Sequence, residues 1–372
     1  MIIHPSGSSE GTIYDLCPDA LSYGVVPRRS SKLPLTSSPL PSSGGYKSLF
    51  SFFTFVFGDI MLANGSHFAS RLHYILARAY ATTLYDEGYL PGALLLGYSL
   101  RKHGMLRPDI AQHMILLHIS GRLSEDILQL LRSVGWETVA VERVPAPEGK
   151  PPGPEYIDQY TKLRLFELDQ FDQVFYIDAD ALVVKSFPEI WSFPAPFAAC
   201  RDIRIGTGTA IVTATCIRAF GFPYLPLNLD SIWLPTINAG TLLLKPNRYL
   251  FAHMLEAAPF MKYENWFAEQ GLLNEYWLRD ATFYPYIFNG QLDMKRGLPE
   301  VWKALKHDMR IIHYTWTKPW RCDKEVDQPA DRRAWLREWD EMVKMRIEQG
   351  LSLPDHLLNL STTQYCQWTY VE

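Results

Sequence analysis

The chain has 372 residues, 47% of them hydrophobic and 20% charged, with a formal net charge of −4. That is enough apolar material for one large core or two, and the mild acidity leaves no electrostatic footprint for nucleic acid or an anionic membrane. Five cysteines, Cys17, Cys200, Cys216, Cys322 and Cys366, lie scattered with no metal-ligand spacing, which favours reduced thiols and a cytoplasmic protein over a membrane-anchored or secretory one.

Residues 1–78 are unlike the rest. Ser, Pro and Gly dominate as far as Gly45 with no sustained period, as expected of a disordered extension. The apolar run Leu49 to Phe57 is too short to span a bilayer, and the sequons at Asn64 and Asn359 matter only if the chain is secreted. From Tyr80 the pattern becomes regular. Ala81 to Tyr85 reads as a strand and Gly92 to His103 as a helix stopped by Gly104. Met114 to Ile119 is a strand. Ser124 caps a helix ended by Gly135, and Thr138 to Val144 is a further strand. After the Pro/Gly loop 145–154, Tyr156 to Leu168 reads as an amphipathic helix and Val174 to Ile177 as a buried strand.

Residues 203–233, rich in Gly, Thr and Pro, interrupt the pattern and read as an insertion. Thr236 to Leu244 resumes as a strand, Glu269 to Leu278 as a helix and Arg310 to Tyr314 as a strand. Pro329 to Gln349 is a long helix whose Trp335 and Trp339, four apart, form a packing stripe. Strands alternating with helices predict an α/β domain over 79–322, with a mostly parallel sheet and helices on both faces, followed by a helical segment over 323–372. Ligands in such sheets sit at the carboxyl ends of the strands.

At one such end stand Asp178 and Asp180, separated by Ala179. Alternate residues of an extended chain project to the same side, so the two acids can close on one hard divalent cation. Adjacent like charges repel unless a counter-charge lies between them. Read alone, Asp-x-Asp is equally a polar strand-to-loop junction.

Four further stretches accompany it: Thr83-Leu-Tyr-Asp-Glu-Gly-Tyr89 with the helix after it, Tyr160-Thr-Lys-Leu163, Ile237-Asn-Ala-Gly-Thr-Leu-Leu-Leu-Lys-Pro-Asn247, and Glu269-Gln-Gly-Leu-Leu-Asn274 combined with Ile312-His-Tyr-Thr-Trp-Thr-Lys-Pro-Trp320. Together, and in this order from Tyr80 to Trp320, they resemble glycosyltransferase family 8, the retaining transferases that include glycogenin and galactinol synthase. The resemblance implies a GT-A type fold and transfer of a hexose, glucose or galactose, from a UDP-sugar to a separate acceptor: a sugar, a polyol or a protein. It leaves a homodimer open.

The resemblance also implies site residues. Asp178, Asp180 and His313 would hold the metal, and a nitrogen ligand favours Mn²⁺ over Mg²⁺. Lys318 would face the diphosphate and Lys162 the donor phosphate and sugar. Leu84, Tyr85, Asp86 and Tyr89 would form the base pocket, with Tyr89 stacked on uracil. Ala179, Asn238, Ala239 and Gly240 would line the donor sugar, with Gly240 allowing close approach. Glu269 and Gln270 would lie near the anomeric carbon, Glu269 being one methylene longer than the family's aspartate. Gly290 to Trp302 contains no tyrosine, which speaks against the self-priming of glycogenin. A catalytically silent UDP-sugar-binding scaffold and a self-glucosylating primer are the rival readings.

Overall fold

A computed structural model describes residues 76–194, 196–203, 236–277, 280–315, 318–321, 329–358 and 360. The extension over 1–75, most of the insertion reading at 203–233 and part of the 323–372 segment lie outside these residues. The strands are β1 (Arg78–Leu84), β2 (His113–Ile119), β3 (Glu137–Val141), β4 (Gln173–Ile177), β5 (Ala181–Val183), β6 (Phe197–Arg201), β7 (Ile237–Leu244), β8 (Thr282–Phe283), β9 (Gly290–Gln291) and β10 (Ile311–His313). The helices are α1 (Leu90–Lys102), α2 (Glu125–Ser133), α3 (Arg248–Ala257), α4 (Glu269–Trp277), α5 (Met294–Gly297), α6 (Pro299–Leu305), α7 (Pro329–Glu348) and α8 (Asp355–Leu358).

Seven strands form the main sheet in the order β3-β2-β1-β4-β7-β6-β8. Every neighbouring pair is parallel except those that β7 makes with β4 and with β6. β1 is therefore the switch point: the chain runs outward through β2 and β3 and returns on its other side as β4. Because β7 is reversed, its beginning lies at the same sheet edge as the carboxyl ends of β1 and β4. A smaller sheet, β5-β10-β9, flanks that edge. β6 and β7 are antiparallel neighbours, and at their open end Asp202 N–H donates to the Thr236 carbonyl at 2.8 Å.

Strand alternation divides the core in two. Tyr80, Leu84, Leu116, Phe175 and Ile177 face one way, toward α1, α2 and α7. Ala79, Ala81, Leu117, Val174, Tyr176 and Leu242 face the other, toward residues 159–167 and helices α3 and α4. Local signals set the helix ends. Ser124 Oγ accepts from Ile127 N–H, and Gly104 (φ 65°) and Gly135 (φ 108°) supply the left-handed turns after α1 and α2.

Two expectations change. Tyr156 to Leu168 is not an α-helix but a 3₁₀-helix over Gln159–Glu167, after a single 3₁₀ turn at Pro154–Tyr156. The apolar period there is three, not 3.6: Tyr160, Leu163 and Phe166 are all buried in the same cluster, and three residues per turn stacks i over i+3. The strand expected to reach Val144 stops at Val141. Val144 N–H is taken instead by the Thr161 hydroxyl at 3.1 Å, which pulls the chain off the sheet. The short strands β5 and β6 and the helix α3 fall where no period announced them.

α7 covers α1. Trp335 and Trp339 are fully buried and stacked 5.3 Å apart, and Trp320 packs on Trp335. Lys102 of α1 pairs with Glu338 and Glu341 at the rim. Replacing a buried Trp by Ala leaves a large cavity, so Trp339→Ala should lower unfolding free energy by about 3–5 kcal/mol in chemical denaturation. A loss below about 1 kcal/mol would show that α7 is not part of the cooperative core.

Candidate active site

The site is built where β1, β4 and β10 end and β7 begins. β4 runs straight into Asp178. A turn closed by Ala181 N–H on the Asp178 carbonyl, at 3.0 Å, then presents Asp180. Asp178 N–H donates to the Gly240 carbonyl at 2.8 Å, tying this turn to β7. His313 ends β10, which pairs with β5 so that His313 lies opposite Ala181. The ligand-capable atoms of Asp178, Asp180 and His313 all lie within 4.8 Å of one another. His313 Nε2 is 3.1 Å from Asp180 Oδ1 and 3.7 Å from Asp178 Oδ2.

These residues fit a divalent cation. Among the described residues, Asp180 Oδ1 is buried and receives no hydrogen bond, and the His313 Nε2 edge faces both acids. Two carboxylates and one imidazole form a hard, borderline donor set. A backbone feature secures the ring: a Cβ on Gly240 would lie 2.1 Å from His313 Cε1. The sequence places Gly240 for close approach to a donor; what approaches it in the structure is the histidine.

Around the three ligands the charges alternate. Lys162 is 96% buried. Its ammonium lies 3.1 Å from Asp178 Oδ1 and 2.7 Å from Glu269 Oε1, and it donates to the Ala239 carbonyl at 3.3 Å. Burial alone would push its pKa down, but the carboxylates of Asp178 and Glu269 outweigh that and hold it above its ordinary value. Tyr176 O–H donates to the same Asp178 oxygen and is linked in turn to Thr83 Oγ1 at 2.9 Å. Asp178 Oδ1 is therefore held from behind, and Oδ2 is the oxygen left toward His313. Lys318 donates to Asp180 Oδ2 and to the carbonyls of Tyr314 and Thr315. Burial would raise the Asp180 pKa, yet the Lys318 ammonium overcomes it and holds the carboxyl below the usual range.

Glu269 is 98% buried at the start of α4, reached through Ala268 in a left-handed conformation (φ 49°). Such a conformation is costly for a residue with a Cβ and persists where the surroundings impose it. One Glu269 oxygen is on Lys162, and the other, Oε2, is buried with no partner. Burial pushes this carboxyl up. Gln270 Oε1 accepts from Ala239 N–H at 2.9 Å, so it fixes β7 and keeps only its amide donors free.

The remaining expected residues divide. Tyr89 lies beside the metal ligands, with Trp320 edge-on at 5.9 Å, the Arg321 guanidinium 5.2 Å from its ring centre and Lys318 5.7 Å. Ala179 is buried, and its carbonyl lies where a Cβ on Gly92 would come within 2.3 Å. Tyr85 is buried, within electrostatic reach of Lys162, Glu269 and Asp178. Leu84 belongs to the apolar core, not to an open pocket. Asp86 spends its carboxylate capping its own 3₁₀ turn, accepting from Gly88 N–H at 2.7 Å. Asn238 is bound on both sides: its Oδ1 accepts from Gly240 N–H and from Asn289 Nδ2, and its Nδ2 donates to Asp202. One of its amide hydrogens is left for a ligand.

Residues 81–324 match the model of the family described as glycosyl transferase family 8. The chain belongs to that family. Among curated relatives, a glycogenin of Neurospora crassa is 25% identical over 65% of this chain and 31% of its own length. UDP-glucuronate:xylan alpha-glucuronosyltransferase 2 of Arabidopsis thaliana is 24% identical over 67% of this chain and 36% of its own length. Galactinol synthase 6 of Arabidopsis thaliana is 26% identical over 74% of this chain and 80% of its own length. The chain thus spans about a third of the first two relatives. The solved galactosyltransferase LgtC, in complex with donor and acceptor sugar analogs, overlays 76% of this chain and 99% of its own at 16% identity with a TM-score of 0.48. The architecture of this family 8 chain is α/β with a mostly parallel sheet, as expected from its sequence.

Several residues at the site escaped the sequence reading: Tyr176, Thr83, Asn289 and Asp202. Tyr176 had a usable signal, because it lies two residues before Asp178 on the same strand and so on its side. Asn289 and Asp202 had none, since their roles depend on a fold that brings β6, β7 and β9 together. Gly240→Ala should cut Mn²⁺ affinity at least about tenfold, the scale of a displaced ligand orientation, while far-UV circular dichroism stays unchanged. Unaltered Mn²⁺ binding by calorimetry would remove His313 from the ligand set.

Proposed function

We propose that this family 8 protein is a metal-dependent retaining hexosyltransferase that moves glucose or galactose from a UDP-sugar to a separate acceptor. One observation carries the reading: Asp178, Asp180 and His313 converge at the carboxyl edge of the sheet with two buried lysines, Lys162 and Lys318, beside them. Two cations set among acids at a switch point suit a ligand that is itself an anion. When bound by these three residues, a divalent ion such as Mn²⁺ supplies Lewis-acid neutralisation of the diphosphate.

The protein's own groups account for the rest. Lys318, buried beside Tyr89, is placed to turn its ammonium to the leaving diphosphate, where a point cation favours departure. Tyr89 supplies a ring face for the base. Glu269, pinned by Lys162, presents Oε2 to accept a sugar hydroxyl and to stabilise positive charge growing at the anomeric carbon. Its fixed, ammonium-bound state suits electrostatic support better than nucleophilic attack. In the proposed step the bond from the anomeric carbon to the UDP oxygen breaks as the acceptor oxygen bonds on the same face. The acceptor's proton passes to the departing phosphate.

Charge balance supports a neutral donor sugar. Among the described residues, the pocket holds Asp178, Asp180 and Glu269 against Lys162 and Lys318, and both lysines already contact carboxylates. A uronate would bring a further anion to Glu269, whose one lysine partner among the described residues, Lys162, is already shared with Asp178. A separate acceptor fits the lack of any tyrosine between Gly290 and Trp302.

UDP release should be measured for UDP-glucose, UDP-galactose and UDP-glucuronate, with Mn²⁺ or with chelator. Release from a neutral donor is expected, at least about a hundredfold slower in Asp180→Asn, as for loss of a main electrostatic group. Release that survives both the chelator and the substitution would sink the metal-dependent reading. Preference for UDP-glucuronate would sink the neutral-sugar one.

A further inference from the structure

Behind the proposed metal ligand His313 runs a chain of side-chain amides that ends on a carboxylate. His313 Nδ1 lies 2.9 Å from Asn289 Oδ1. Asn289 Nδ2 donates to Asn238 Oδ1 at 2.9 Å, and Asn238 Nδ2 donates to Asp202 Oδ1 at 3.0 Å. Asn238 Oδ1 also accepts from Gly240 N–H at 3.0 Å. Asn289 is fully buried and His313 and Asn238 nearly so, so water cannot stand in for a lost partner without cost.

The direction of this chain can be deduced. An imidazole in its neutral form is a donor at one nitrogen and an acceptor at the other. An amide group could in principle face either way, and its orientation follows from its partners. Two groups at the far end cannot reverse. The Gly240 main-chain N–H can only donate, and at 3.0 Å the Asp202 oxygen stands as acceptor to the Asn238 amide. Turning Asn238 over would set its NH₂ against the Gly240 N–H and its carbonyl against Asp202. Asn238 must therefore present Oδ1 to Asn289. Turning Asn289 over would bring two carbonyl oxygens to 2.9 Å, so Asn289 must donate there and present its own Oδ1 to His313. The histidine then has to carry its proton on Nδ1.

We propose that Asn289 is a positioning residue which, through this one-way relay anchored at Asp202 and Gly240, holds His313 as the Nδ1–H tautomer with the Nε2 lone pair turned to Asp178 and Asp180. The proposal rests on the reading of that site as a metal site. It gives Asn238 a task beyond any sugar contact, as the link between the β7 backbone and the ligand histidine. It also couples Asp202, next after β6, to His313 through two side chains, Asn238 and Asn289. Outer partners of metal-bound histidines fix the tautomer in this way, and their loss typically weakens metal binding about 10- to 100-fold.

The first test needs no substitution at the relay. Long-range ¹H–¹⁵N correlation spectra of histidine-labelled protein without divalent ion, at a pH where the ring is neutral, report which nitrogen bears the proton. The signal is assigned by its loss in His313→Gln. A protonated Nδ1 and a lone pair on Nε2 are expected. A proton on Nε2 in a protein that binds Mn²⁺ overturns the relay alone; failure of the folded protein to bind Mn²⁺ overturns the metal reading, whatever the tautomer.

Two variants then separate positioning from stability. Asn289→Leu cannot accept the proton, and should shift the tautomer signal and weaken Mn²⁺ binding about 10- to 100-fold. Asn289→Asp still accepts from Nδ1 but sets an oxygen against Asn238 Oδ1. It should lower the melting temperature yet keep the tautomer and bind Mn²⁺ within about threefold of wild type, well short of that range. Affinity that follows melting temperature in both variants, with the tautomer unchanged, would reduce Asn289 to a structural role.

Discussion

Three carboxylates share one buried corner of this molecule, and much of the site follows from how they are kept apart and kept charged. Asp178, Asp180 and Glu269 would repel, or pick up protons, if they were buried alone. Lys162 between two of them and Lys318 on the third make the corner tolerable. The balance is incomplete: among the described residues, Glu269 Oε2 and Asp180 Oδ1 find no hydrogen-bond donor. Polar atoms buried in that condition carry a desolvation cost that a purely structural site would have removed. The cost is met by the rigidity around them, where the sheet, the Asp178–Ala181 turn and the left-handed Ala268 leave these side chains little alternative.

That rigidity has a topological source. Four strand ends from distant parts of the chain are brought to one edge, and each contributes one function: aromatic and backbone walls from β1, carboxylates from β4, the glycine and amide from β7, the imidazole from β10. The β1–α1 turn and the segment after His313 are stitched together by Trp320 Nε1–H on the Gly88 carbonyl at 2.8 Å. The α7 tryptophans pack behind that stitch. The covering helix and the catalytic edge thus share a structural wall.

The sheet, the acid pair and the order of the motifs were legible because they obey local rules. Val174 to Ile177 is apolar and short, Asp178 and Asp180 alternate, and Ser124, Gly104 and Gly135 punctuate helices in the ways their backbone chemistry requires. What could not be read was whatever depends on a period of three or on contacts between distant segments. Residues 159–167 have the composition of a helix, and the three-residue stacking of Tyr160, Leu163 and Phe166 decides its winding. Leu84 and Asp86 were drawn into the base pocket by position in a motif. That Leu84 also packs in the core, and that Asp86 also caps the turn it sits in, shows only once the fold is drawn. Asn289 and Asp202 carry no signal at all until β6, β7 and β9 lie side by side.

The narrow neck between β6 and β7 has a consequence of another kind. Asp202 and Thr236 are hydrogen-bonded across it, so the antiparallel ladder is already closed where the intervening chain leaves and returns. A ladder closed in this way does not depend on how many residues hang from it. Doubling the length of such a connection costs only about 0.6 kcal/mol in loop closure. Because β7 is reversed, the neck itself stands at the edge where the candidate site lies rather than at the far side of the sheet. Asn238 and Gly240 sit on the closed side of that neck, so the support they give His313 is set by the ladder and not by the length of chain between its ends.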